Sequence, residues 1–476
     1  MHLLELSLLF LPLVYVCPAA GDTSPTWQTV QCSQSPITDA AAPAASRWVA
    51  ADVDNAWNAA VAAWQNYTAA SGASRLNLPE FISNYFNGPE GWNCQDEGNI
   101  PCSGTVQCDE TKYPAGFLIL NSFSSIHQIH QHYYQALQGA ATSMLANLGT
   151  FTNTFAPQLP QSDDSITRDI LDVFSTIVGV GSALAWNARI FADDNYRGFA
   201  KDAFNGQVSF AVAIAKDNLP AAEAALGMQN TMSTALGSLF ESWQGTESSY
   251  LQQIFSGANS TVIGDLWSLM QDGMISTVPV GIDLSSMTSS TQTIMYGQMI
   301  PSAWAKAPGI FFPFILKTGD SCSSAAPGDI APWVDSDTAT KARVCWQGNT
   351  FYVLSINSNP DLIIDMNAPG VGLGSPVPFV SLPGGTNDVL DGKVFGGITL
   401  EDIVSSSYQA YQLNNNQNGY QMPQNIDGQQ TQGDLIFENG ITIPGFFTLP
   451  ICTSLYNTLM AIRKGQSKGG KYWPCE

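Results

Sequence analysis

Apolar residues recur at helical spacing in three stretches of the first two thirds of the chain. The stretches span residues 48–68, about 122–156 and 228–254, and Pro157 ends the second one. In the first stretch, WVAADVDNAWNAAVAAWQNYT, the apolar positions that share one helix face are Val53, Trp57, Val61 and Trp64. The pattern predicts long amphipathic helices that pack against one another.

The pattern changes beyond Pro308, where short β-branched or aromatic runs alternate with turns. NTFYVLSIN, DLIIDMN and GDLIFENGITIPGFF are typical of strands, and Asn439-Gly440 within the third favours a hairpin. Residues 412–434, rich in Asn, Gln and Gly, are expected to form a long polar loop. These patterns predict an α+β fold: a helical bundle with a buried apolar hairpin, followed by a smaller strand-rich region, with disulfides holding both.

The domain organisation follows from the same patterns. We expect a signal peptide at residues 1–20 and an extended segment at 21–46. A helical domain at 47–308 contains a Gly- and Pro-rich disulfide loop at 86–116. A strand-rich domain at 309–476 completes the chain.

Charge and processing signals predict a secreted, extracellular protein. The formal net charge is −22, from 17 basic and 39 acidic residues, and such a surface repels nucleic acids. The apolar run Leu3–Val16, followed by small residues, has the layout of a secretory leader. Asn66 and Asn259 each begin an Asn-x-Thr acceptor for N-linked glycan.

Eight cysteines remain once the leader is removed, and an even number in an exported chain predicts disulfides. Loop lengths suggest Cys322 with Cys345 and Cys452 with Cys475. The remaining four would pair among themselves in an arrangement that the sequence leaves open: Cys32, Cys94, Cys102 and Cys108.

Three segments together resemble a family of secreted, cysteine-stapled filamentous-fungal proteins of unknown function. They are ADVDNAWNAAVAAW, FNGPEGWNC with the cysteine-rich loop after it, and GFLILNSFSSIHQ. The resemblance implies a fungal, extracellular origin. It carries no catalytic residue over to this chain.

Three histidines fall within the predicted second helix, in SIHQIHQHYYQAL. Projection at 100° per residue places His130 near the margin of the apolar stripe and His127 about 60° beyond it. One metal ion could bridge these two, whereas His132 faces the opposite flank. The alternatives are a pH-sensitive helix contact at His130 and a purely structural role. We predict no cofactor.

Two apolar runs, 173–188 and 207–215, are typical either of core helices or of a hairpin that enters a bilayer. Near the C-terminus a basic cluster could contact anionic lipid or a polyanionic wall polymer. Its members are Arg463, Lys464, Lys468 and Lys471.

The leading functional hypothesis is a secreted protein that acts by binding or by membrane interaction, as an effector or toxin-like factor. HExxH and Walker patterns do not occur, and no catalytic residue can be named. The alternative is an acid-active glycoside hydrolase with an Asp/Glu pair, or a carbohydrate-binding protein. Tyr408, Tyr411 and Tyr420, among many Asn and Gln residues, offer stacking faces and amides for sugars.

Overall fold

The computed structural model describes residues 27–71, 76–98, 101–155, 228–273, 284–306, 312–324, 328–357, 377–422, 440–465 and 470–475, with a few positions between them. The predicted leader and both apolar runs lie outside these residues. The described N-terminal region is helical: α1 Ala44–Ala50, α2 Val53–Ser71, α3 Leu78–Tyr85, α4 Pro114–Phe155, α5 Met228–Ile254, α6 Ser260–Met270 and α7 Leu284–Lys306.

The described part of the C-terminal region combines short strands with three α-helices. In chain order they are β1 Phe314–Ser321, α8 Ser336–Lys341, β2 Arg343–Trp346, β3 Asn349–Ile356, β4 Phe379–Ser381, α9 Leu400–Leu413, β5 Asn425–Ile426, β6 Gln430–Thr431, β7 Ile451–Cys452 and α10 Leu455–Lys464. The predicted α+β class, with helices first and a smaller sheet after them, is confirmed.

Helix α4 is the centre of the helical region. It runs for 42 residues, and none of them is Asp, Glu, Lys or Arg. It packs along α5 and α7 and also contacts α2, α3 and α6. A helix without charged residues can be covered on several sides without the cost of burying a charge, and α4 takes this central position.

The sheet is built around β3, which pairs antiparallel with β1, β2 and β4. Strand β7 joins the other edge of β1 in parallel, through Ile315–Ile451 and Leu316–Cys452. The separate β5–β6 pair joins Asn425 to Thr431 and lies within the stretch that the sequence predicts as a polar loop. That stretch also begins inside α9, because the helix continues to Leu413.

Both faces of the sheet are buried. Phe314 and Leu316 of β1 belong to a small core with Trp333 and Leu459. Ile315, between them in sequence, points to the opposite face and joins the large core of the helical region. Burial on both faces explains why NTFYVLSIN is almost continuously apolar and does not alternate.

Four disulfides hold loops and strands together. The two pairs expected from loop length form, namely Cys322–Cys345 and Cys452–Cys475. The four N-terminal cysteines form Cys32–Cys108, which closes a long loop, and Cys94–Cys102, which closes a short one. Residues 27–42 form successive turns over the helices, with Trp27, Val30 and Ile37 buried. Residues 440–442 form a 3-10 turn, and Asn439 of the predicted hairpin lies outside the described residues.

A glycine in the first turn of α4 allows that helix to approach the end of α3. A Cβ atom added at Gly116 would lie 2.5 Å from Cβ of the buried Phe86.

We expect Gly116→Ala to lower the free energy of unfolding by about 1–3 kcal/mol through overpacking. The matched control is Gly237→Ala in α5, where nothing lies within 4 Å of the added atom. That change should raise stability by about 0.5–1 kcal/mol through helix propensity. Thermal unfolding of both variants measures the difference, and an equal shift would contradict close packing at Gly116.

Candidate functional site

A shallow, open cleft lies in the C-terminal region beside α9. Three segments surround it: the last turns of α9, the loop after α9 and the segment just before β7. The lining residues are Ser407, Ala410, Tyr411, Gln417, Asn418, Gly419, Tyr420, Thr448 and Leu449.

Buried serines of α9 fix the wall opposite the helix. Ser406 Oγ accepts a hydrogen bond from Phe447 N at 2.9 Å, and Ser407 Oγ accepts one from Leu449 N at 3.3 Å. These bonds tie the backbone of residues 447–449, the segment before β7, to side chains of α9. They therefore fix the position of Thr448 and Leu449 relative to the helix. The helix itself starts at a reciprocal cap between Thr399 and Asp402.

Tyr411 provides a half-buried aromatic face on the α9 side of the cleft. Its ring stacks on Tyr408 one turn earlier, with 6.1 Å between centroids and 19° between planes. Tyr408 is only 8% exposed and accepts a 2.7 Å hydrogen bond from Lys317 Nζ. Of the three tyrosines singled out in the sequence, Tyr408 therefore supports Tyr411 and does not itself face the cleft.

Tyr420 provides a second half-buried face, on the loop after α9. Its ring lies against Gly445, where an added Cβ would be 2.7 Å from the ring carbon Cε1. Gly445 has a φ of +89°, which side-chain-bearing residues rarely adopt. This glycine lets Tyr420 approach the backbone of the opposite wall.

Asn418 serves as a structural link, not as a ligand group. Its Oδ1 accepts a hydrogen bond from Ile451 N at 2.8 Å, and its Nδ2 donates to Ile451 O at 3.1 Å. The loop is thereby tied to β7 as a strand would be. Gln417 beside it is exposed and presents its amide to solvent at the cleft.

The lining suits a carbohydrate. Aromatic rings offer apolar faces to the C–H groups of a sugar ring, while amides and hydroxyls exchange hydrogen bonds with its substituents. Hydrolysis of a glycosidic bond ordinarily needs two carboxylates. Among the described residues that line the cleft there is no Asp or Glu, so the geometry supports binding at this place.

The histidines lie elsewhere, inside the helical region, and each is held by a different partner. His127 is fully buried and donates from Nε2 to Asp96 O at 2.7 Å, while Nδ1 accepts from Ser103 Oγ at 3.2 Å. The two bonds fasten α4 to the loop closed by Cys94–Cys102 and to Ser103, the residue after it. Burial lowers the pKa of His127, and the hydrogen bond to Asp96 opposes this shift.

His130, 1% exposed, pairs through Nδ1 with Glu247 Oε1 of α5, and Glu247 is equally buried. This pair lies between two packed helices, and Tyr250 of α5 stands 4.9 Å from the imidazole, centroid to centroid. His132 is half-buried and bonds to Gln128 O within its own helix. In the described parts of the chain, no three His, Cys, Asp or Glu side chains are grouped so as to hold a metal ion.

The remaining predicted surface features are accessible. Asn66 is exposed on α2, and Asn259 is exposed while its side chain caps α6 through Val262 N at 3.0 Å. Arg463, Lys464 and Lys471 are exposed, whereas Lys468 falls outside the described residues.

No described helix is both long and apolar enough to cross a membrane. The membrane hairpin stays a prediction, since its two runs are not described.

Reasoning from sequence named Tyr411 and Tyr420 but missed the residues that hold the walls of the cleft in place. The serine triplet Ser405–Ser407 was the available signal, because hydroxyls that become buried need hydrogen-bond partners. Helix α9, which carries the triplet, was not predicted. The roles of Asn418 and Gly445 had no local signal.

Comparison with known proteins finds two relatives that are both named as chitinases. The chain is 27% identical over 483 residues to "Probable chitinase LysM18" of Penicillium expansum, covering 91% of this chain and 32% of that protein. It is 27% identical over 497 residues to "Secreted chitinase LysM12" of the same organism, covering 91% of this chain and 31% of that protein. The chain thus spans about a third of the length of these curated relatives. No family model and no solved structure matches it.

The lowered pKa of His127 makes stability depend on pH in a defined direction. Above the pKa of the unfolded chain, about 6.5, the imidazole is neutral in both states and the contact is intact. As pH falls below that value, the unfolded chain binds the proton more readily, so stability is lost. We expect His127→Gln to reduce the fall in Tm between pH 7 and pH 5. The matched control is His132→Gln on the same helix, and an identical fall in His127→Gln and wild type would contradict this.

Proposed function

We propose that this protein binds chitin, or a closely related polymer of N-acetylated sugars, through the cleft between Tyr411 and Tyr420. The observation that carries the proposal is the pair of half-buried tyrosines facing one cleft with an exposed amide between their segments. The names of the relatives point to the same polymer class.

The chemistry of chitin fits the lining. Each of its sugars has an apolar ring face and an acetamide group, which both donates and accepts hydrogen bonds. A tyrosine ring can stack on the first, and Gln417 and Thr448 can exchange hydrogen bonds with the second.

The charge of the protein fits as well. A chain with a formal net charge of −22 repels anionic polymers, but it does not repel an uncharged one. Binding should therefore change little between low and high salt, because screening acts on charge interactions. Contact of a polyanion with Arg463, Lys464 and Lys471 would instead weaken steeply as salt rises.

The proposed place of action is outside the cell, bound to a cell wall. Four disulfides are typical of proteins that fold in an oxidising compartment. One of the relatives is named as secreted.

Binding to insoluble chitin tests the proposal directly. Retention of the purified protein is measured on chitin beads and, as the control polymer, on cellulose, which lacks the acetamide. We expect retention on chitin, and we expect Tyr411→Ala and Tyr420→Ala each to weaken it by about threefold to tenfold. The control variant is Tyr456→Ala, which removes a tyrosine that is 60% exposed on α10 and does not line the cleft.

Two results would count against the proposal. One is absence of retention on chitin at any salt concentration. The other is equal retention of the three variants, which would place the binding surface elsewhere. Release of soluble sugar from chitin, measured on the same samples, would add a hydrolytic activity to the binding proposed here.

A further inference from the structure

The segment just before the C-terminus lies at the rim of the cleft. A Cβ atom added at Gly419, which lines the cleft, would overlap with the hydroxyl oxygen of Tyr472. Gly419 has a φ of +99°, so the chain turns there in a conformation that favours glycine. The ring of Tyr472 therefore sits directly against the backbone between Asn418 and Tyr420.

This segment is held firmly in place. Cys475 is bonded to Cys452 of β7, and Asn418 bonds to Ile451, the residue next to Cys452. Trp473 donates from Nε1 to Ala461 O at 3.1 Å and packs edge-on against Phe312 with 5.0 Å between centroids. The cleft loop and the C-terminal segment are thus anchored at the same end of β7.

Tyr472 has the properties of a stacking residue. It is half-buried, so its ring is rigidly backed and still reaches solvent. The ammonium group of Lys471 lies 5.3 Å from its ring centroid, which helps to orient the ring. That ammonium is exposed and can donate to a sugar hydroxyl or an acetamide oxygen.

We propose that Tyr472 forms a second sugar-binding position beside the cleft, so that the ligand is an oligosaccharide and not a single sugar. This inference rests on the proposed binding of N-acetylated sugars. It assigns the Cys452–Cys475 disulfide a positioning role, because that bond holds Tyr472 against Gly419. A short ligand fills the position between Tyr411 and Tyr420, and a longer one also reaches Tyr472.

Calorimetric titration with chitin oligosaccharides of two and six sugars tests this. We expect Tyr472→Ala to weaken binding of the six-sugar ligand by about fivefold to tenfold and to leave the two-sugar ligand unchanged. Tyr456→Ala, the exposed tyrosine of α10, should change neither. Unchanged six-sugar affinity in Tyr472→Ala would overturn the inference, and so would an equal loss for both ligands. Failure of the wild type to bind either ligand would instead overturn the proposed function.

Removal of disulfides offers a second test with a closely matched control. Cys452–Cys475 and Cys322–Cys345 both close loops with a sequence separation of 23, so their removal costs similar loop-closure entropy. Replacing either pair by alanine should lower Tm comparably. Well below both transitions, only Cys452→Ala/Cys475→Ala should lose six-sugar affinity. Wild-type affinity in that variant, or equal losses in both, would overturn the positioning role.

Discussion

The long helix α4 carries no charged side chain, and its burial governs how the neighbouring helices are arranged. A helix in water gains most of its stability from packing, and α4 has 42 residues without a charged side chain. Its neighbours must cover it on several sides, which α2, α3, α5 and α7 do. At its C-terminal end Phe151 and Phe155 meet Phe395 of the C-terminal region, so one continuous core joins the helices to the sheet.

Deep burial then dictates where the polar groups go. A polar side chain that loses water must find a partner in the protein. His130 finds Glu247 on α5, and Ser406 of α9 finds the backbone that leads to β7. The second case has a functional consequence, because the same bonds that satisfy buried hydroxyls also hold the wall of the cleft. Tyr411 of the helix and Tyr420 of the loop after it both line this cleft.

Much of this was predictable from the sequence, because it depends on local geometry. The helices follow from apolar spacing, since residues three or four apart share a helix face whatever the helix packs against. The pairs Cys322–Cys345 and Cys452–Cys475 follow from their short separation along the chain. Tyr411 and Tyr420 could be named as stacking candidates because many Asn and Gln residues surround them in the sequence.

The α+β class and the order of its helical and strand-containing regions could therefore be predicted from local patterns. Three contacts depend on how distant parts of the chain pack: Tyr408 is buried beneath Tyr411, Glu247 pairs with His130, and Tyr472 reaches Gly419. The last two contacts join residues 117 and 53 positions apart. Helical and strand periodicities report which face of an element is buried, but the partner across that face depends on how whole elements pack together.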